Sequence, residues 1–186
     1  PGTGGSTDPG DDDVNETKRC DGDPLKDMDI RPTCAGIEGG RYGEEARTDA
    51  EGDPVSHWGL DLGGSDAEIG TEISAIEGGT VRSSTNYSDD FGNYVIVSNG
   101  NTWYLYAHLS KVTVEAGGSI DGGDKIGEMG KSGNAGDADC NPVHLHLEVR
   151  KNEGSWPTDA ESTSRDPEKY IGTEFSSGGE PVSDEC

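Results

Sequence analysis

The sequence predicts an all-β domain: a two-layer antiparallel β-sandwich, or barrel-sandwich-like core, with long loops and irregular termini. From about residue 36 onward the chain runs in short alternating apolar and polar stretches, the period-two signature of strands that bury one face. Glycine pairs and an Asn-Gly step interrupt these stretches, as tight turns require. No long segment carries the 3.6-residue spacing of an amphipathic helix.

Taken in order, residues 1–38 are rich in Gly, Asp and Pro without apolar periodicity, which predicts an acidic irregular arm pinned by a local disulfide. The domain proper is expected over 39–172. Within it HWGLDLGG, TEISAIEGGTVRSS, KVTVEAGGSI, KIGEMGKSGN and VHLHLEVR each read as strand then turn. In VIVSNGNTWYLYAHL two β-rich runs flank Ser-Asn-Gly-Asn, a hairpin signal. Alternation along that second run places Tyr104, Tyr106 and His108 on one face, with Trp103 and Leu105 on the other as core candidates. In VHLHLEV it places Val143, Leu145, Leu147 and Val149 on an apolar face and His144, His146 and Glu148 on a polar one. Residues 173–186 read as a tail.

Composition narrows the function. The net charge is −24, with 38 acidic against 14 basic residues. A polyanionic nucleic acid would be repelled, and no basic stripe offsets this. Such a surface suits a protein kept soluble at high salt, or an ordinary acidic secreted protein. No apolar run approaches the roughly 20 residues of a membrane helix. The opening residues lack the basic and apolar regions of an export signal, so for the expected secreted protein that signal lies outside this stretch. The four cysteines, Cys20, Cys34, Cys140 and Cys186, suggest two disulfides and an oxidising compartment. Pairing Cys20 with Cys34 and Cys140 with Cys186 would tie down both ends. Asn15 and Asn86 stand in glycosylation-type triplets.

Four histidines are the informative residues. His57 precedes Asp61 by four positions, so imidazole and carboxylate share a face on a strand and on a helix alike. Either histidine of the His144–His146 pair would bring the donors to three, leaving a fourth position open, the arrangement of catalytic zinc. A lone histidine on a strand is more often a hydrogen-bonded surface or core residue; here the combination of segments decides for a metal.

These segments resemble the lysostaphin/LytM-like family of zinc endopeptidases, which cut peptide bonds in bacterial cell walls. HWGLDL (57–62), YAHL (106–109) and HLHLEV (144–149) match its His-x-Gly-x-Asp, Tyr-x-His-Leu and His-Leu-His motifs in order, and GGRYG and DPEKYI look like flanking elements. The resemblance implies one Zn2+ held by His57, Asp61 and His146, with His108 and His144 as the catalytic pair. It implies a monomeric, secreted enzyme acting on peptidoglycan peptides or Gly-rich peptides. Tyr42, in GGRYG, would face the cleft, and Arg47 is the candidate for an arginine often found soon after that turn. SGNAGDADCNPV, with Cys140, is longer than the turn many relatives carry there.

A zinc ion with two neutral imidazoles and one carboxylate keeps a positive charge that acidifies bound water and polarises a carbonyl. There is no HExxH, hence no helix-borne glutamate to act as base. His144 is assigned to accept the water's proton, and His108 to stabilise the oxyanion or protonate the leaving amine. Glu148 would accept a hydrogen bond from an imidazole or stand as a solvated edge charge, and Tyr106 would line the substrate groove or, as strand aromatics more often do, pack. A non-catalytic LytM-like module that activates another wall hydrolase is the alternative, opposed by the presence of all five site residues. The hairpin around Lys131 also resembles that of lipoyl or biotinyl carrier domains, a fold that needs no histidines in ligand spacing.

Overall fold

The alternating runs form the strands β1 (Gly43–Thr48), β2 (Pro54–His57), β3 (Leu60–Leu62), β4 (Glu72–Ser74), β5 (Gly79–Thr85), β6 (Asn93–Asn99), β7 (Thr102–Leu109), β8 (Lys111–Val112), β9 (Ser119–Ile120), β10 (Lys125–Glu128), β11 (Leu145–Lys151) and β12 (Ser164–Arg165). This computed structural model describes residues 22–32, 39–48, 52–63, 67–85, 90–151 and 159–182. Among them, helix is limited to one turn at Ala160–Thr163 and 3₁₀ turns at Gly133–Asp137 and Pro167–Lys169.

One sheet runs β12-β11-β7-β6-β5-β9, with β3 also paired to β11; a second runs β4-β10-β8, and β1 pairs with β2. The pairings between strands are antiparallel. Asn99 pairs with Thr102, so Gly100 and Asn101 make the hairpin turn, and Gly100 takes the positive φ of 54° that glycine tolerates. Ile73 of β4 and Ile126 of β10 meet Val81, Val97, Tyr106 and Leu147 of the larger sheet in one buried cluster. This is the predicted two-layer core.

β11 organises the functional end. Its first half pairs with β3, setting His146 opposite Asp61, while β7 runs along its other edge, setting His146 opposite Ala107. Partners across a ladder project to the same face. His146, Glu148 and Arg150 therefore share a face with Ala107, Leu105 and Trp103.

That register corrects the expected faces of β7. Tyr106 is fully buried in the main core, its hydroxyl accepting a hydrogen bond from the Ile76 N–H at 2.9 Å, so it does not line the groove. Trp103, Leu105 and Ala107 form a separate buried cluster with Ile96 on the site face. His108 escapes strict alternation because its φ is +62°, beside a register shift between β6 and β7. The left-handed residue rotates the side chain off the face of Tyr104 and Tyr106.

The chain outside the strands also packs. Leu25, Met28 and Ile30 are buried in the main cluster, each worth about 1.5–3 kcal/mol of burial, and Ile30 forms a bridge with Leu62. Buried Asp23 accepts from the Gly172 and Thr173 N–H groups and the Thr173 hydroxyl. Phe175 packs against the same cluster. The described parts of the predicted arm and tail thus lie on the sheets. Of the four cysteines, Cys140 falls in the loop before β11, and Cys20, Cys34 and Cys186 lie outside the described residues, as do Asn15 and Asn86.

Candidate metal centre

A bend at Gly59 separates β2 from β3; His57 at the end of β2 lies beside Asp61 of β3, and β11 brings His146 to both. His146 Nδ1 stands 2.7 Å from Asp61 Oδ1 and 3.2 Å from His57 Nε2, and His57 Nε2 stands 3.3 Å from Asp61 Oδ1. All three donors lie within 4.8 Å of one another.

Hydrogen bonds on the far side of each ring select the atoms that converge. His57 Nδ1–H donates to the Arg41 carbonyl at 2.8 Å, which leaves Nε2 as the free lone pair. His146 Nε2–H donates to Glu148 Oε1 at 3.1 Å, which leaves Nδ1 to face Asp61. This is the outer support that metal-ligating imidazoles use. The Arg41 side chain grips Glu168 at 2.6 Å, and Arg150 grips the second oxygen of Glu148 at 2.6 Å. Glu148→Gln should weaken metal affinity about 10–100-fold, measured by competition with a chromogenic chelator.

Charge at this focus is balanced by cations. Burial alone would raise the pKa of Asp61, but His144 and His57 nearby and hydrogen bonds from His146 and His57 hold it well below the usual range. Burial pulls His146 down, yet its hydrogen bonds to Asp61 and Glu148 carry it up to about 9. Burial lowers His57 against the pull of Asp61. Arg47 Nη2 lies 2.8 Å from His57 Nε2 and 2.5 Å from Asp61 Oδ2, so a cationic nitrogen already stands among the donors. Two imidazoles and one carboxylate, oriented from behind and drawn to positive charge, fit a zinc ion.

The other two histidines face this cluster. Their rings lie 4.8 Å apart, and that of His108 is 5.6 Å from His146. His108 Nδ1–H donates to the Ser132 carbonyl at 2.9 Å and His144 Nδ1–H to the Pro142 carbonyl at 3.1 Å. Each thus keeps Nε2 free, and His144 Nε2 stands 3.5 Å from Asp61 Oδ2. Burial, with His146 and His144 alongside, lowers His108 to about 3, and burial, with Arg31 alongside, lowers His144 to about 4. Both are neutral at physiological pH.

The histidines open into a cleft of about 420 Å³ walled by Arg31, Trp58, Asp90, Phe91 and Ala138. Phe91 stacks on His146 with centroids 6.0 Å apart. Tyr42 packs edge-on against Trp58 at 5.9 Å and does not itself line this cleft. Sequence reasoning missed Arg31, Phe91 and Arg150, which reach the site only through tertiary packing. Gly59, within the HWGLDL stretch, lies directly against the ring of His146.

Residues 55–158 match the model of Peptidase family M23. Over 82 residues the chain is 35% identical to the peptidoglycan DD-endopeptidase ShyA of Vibrio cholerae, a stretch that is 44% of this chain and 18% of that protein. The chain thus spans less than a fifth of this relative's length. The catalytic domain of the antimicrobial peptidase lysostaphin from Staphylococcus simulans superimposes with a TM-score of 0.51 at 26% identity, covering 76% of this chain and 87% of that one. A zinc-containing peptidase from Vibrio cholerae gives a TM-score of 0.51 at 25% identity, over 68% of this chain and 37% of that one. With its antiparallel sheets, the donor cluster and this match over more than half its length, the chain belongs to peptidase family M23.

Proposed function

We propose that this chain is a zinc-dependent endopeptidase that hydrolyses peptide bonds of bacterial peptidoglycan, in a cross-bridge or a stem peptide, in the cell envelope or outside the cell. The observation that carries the reading is the convergence of His57, Asp61 and His146, with two neutral histidines facing them. His57 Nε2, His146 Nδ1 and an Asp61 oxygen are the atoms that would hold the ion. When bound, zinc supplies a Lewis acid that polarises a carbonyl and makes water acidic enough to react near neutral pH.

The chain's own residues do the rest. His144, locked by Pro142 with Nε2 toward Asp61, takes the proton of the attacking water. His108, locked by Ser132 through Nδ1–H and with its ring 4.8 Å from that of His144, receives that proton at its free Nε2; the imidazolium so formed steadies the developing oxyanion and passes the proton to the leaving amine. Neutral rings suit this relay, because each begins with an Nε2 lone pair that can take a proton and with no buried charge. Trp58 and Phe91 wall the cleft and limit water around the scissile bond. The matching family segment contains all five of these residues, which supports a catalytic domain over a binding module.

Digestion of purified walls of differing cross-link chemistry tests the proposal. New amino termini should appear with one wall type, vanish with a chelator and return with added zinc. Walls left intact under all conditions would exclude the activity.

A further inference from the structure

Arg31 lies outside the segment matched by the family, which begins at residue 55, yet its guanidinium lines the catalytic cleft. The side chain is 18% exposed and held from behind by main-chain carbonyls: Nε donates to Asn141 O at 2.7 Å and Nη2 to Cys140 O at 3.1 Å. Asn141 answers by donating to the Pro32 carbonyl at 3.2 Å. These contacts join the N-terminal segment to the long loop before β11, and none of them uses a candidate metal ligand. The third contact does: Nη1 sits 3.5 Å from Asp61 Oδ2, a loose pairing with the carboxylate that a metal would claim.

A guanidinium carries five N–H donors. Nε–H and one N–H of Nη2 are committed to carbonyls, and one of Nη1 leans toward Asp61, so each terminal nitrogen keeps a further N–H in a side chain that borders the cleft. The rest of the molecule repels anions, with a net charge of −24. A ligand carboxylate thus finds little attraction on the surface at large but a fixed, partly desolvated cation beside the histidines. Arg47 is the weaker candidate for this task, because its Nη2 is engaged with His57 and Asp61 themselves.

We propose that Arg31 is a specificity-determining residue that binds a free carboxylate of the peptide next to the scissile bond. The inference rests on the peptidase reading above and narrows its substrate class to carboxylate-bearing peptides.

The test uses soluble cross-linked muropeptides in native form and with their carboxylates chemically converted to amides. Binding is measured by calorimetry on zinc-loaded protein carrying His144→Ala, with and without Arg31→Gln. Where Arg31 is present, amidation should weaken binding roughly 10–100-fold, the range of a charge-assisted hydrogen bond. With Arg31→Gln the two forms should bind alike, and Arg31→Lys should fall between, since it keeps the charge but loses the fork. An arginine that merely fastens the arm to the loop would, when replaced, weaken both forms equally. Native muropeptides that bind no better than amidated ones to the Arg31 protein would overturn the inference while leaving the peptidase reading intact. Failure of both forms to bind would remove the inference and the peptidase reading together.

Discussion

His146→Ala should lose both the metal and all hydrolysis, whereas His144→Ala should keep the metal and lose rate alone. The two residues stand two positions apart, His144 just before β11 and His146 within it, yet their surroundings differ. His146 is gripped from both sides, by Asp61 at 2.7 Å and Glu148 at 3.1 Å, and its Nδ1 is one of three converging donors. Removing it leaves an imidazole and a carboxylate, so affinity should drop by more than the roughly 10–100-fold that an outer hydrogen-bond partner is worth. His144 is fixed to the Pro142 carbonyl and reaches the cluster only at 3.5 Å from Asp61 Oδ2. Its loss removes a proton acceptor, which costs roughly 10²–10⁴-fold in rate. Metal content after dialysis against a weak chelator, together with the rate of wall solubilisation, separates the two. A His144→Ala protein that cannot hold zinc would reverse the division of labour.

Most of the strand content was legible because alternation is local: half-buried strands must show it, and β5, β6, β7 and β11 do. The cluster was legible in part for the same reason. The β11 alternation puts His146 on the side away from Leu145 and Leu147, whereas His57 and Asp61 meet across the break between β2 and β3 and not along one strand face. What failed depends on contacts with no local signature. The positive φ of His108 breaks the alternation of β7, so reading its face from Tyr104 and Tyr106 gave Tyr106 a place in the groove that its full burial excludes. Leu25, Met28 and Ile30 enter the core from a segment without period, because main-chain hydrogen bonds such as Arg31 N–H to Asp61 O hold it beside β3 through a single bridge and no extended ladder. Arg31 and Arg150 act through neighbours at a distance in sequence or deep in the sheet, and a charge count cannot tell such residues from surface cations.

Gly59→Ala should damage the site as severely as the loss of a ligand, although alanine is the smallest possible addition. A Cβ at residue 59 would lie 2.4 Å from His146 Cε1, 2.7 Å from His146 Nε2 and 2.9 Å from the Leu147 carbonyl oxygen. None of these atoms is the loose end of a flexible chain. The ring is pinned by Asp61 and Glu148, and the carbonyl belongs to β11, where Leu147 pairs with Leu60. Either β3 separates from β11, which parts Asp61 from His146, or the imidazole leaves Glu148 and loses its orientation. Both routes break the donor set. Metal affinity should fall at least 10-fold, and the metal-free protein should lose about 1–3 kcal/mol, the usual cost of overpacking. The sign is diagnostic, because Gly→Ala at an unstrained, open position stabilises by about 0.4–1 kcal/mol through the unfolded chain. Gly122→Ala supplies that control: its added Cβ meets nothing closer than 3.5 Å. Thermal unfolding of the two variants should therefore shift in opposite directions while chelator competition changes for Gly59→Ala alone, and a Gly59→Ala protein that binds zinc as well as the parent would mean that His146 does not hold the metal from where it lies over this turn.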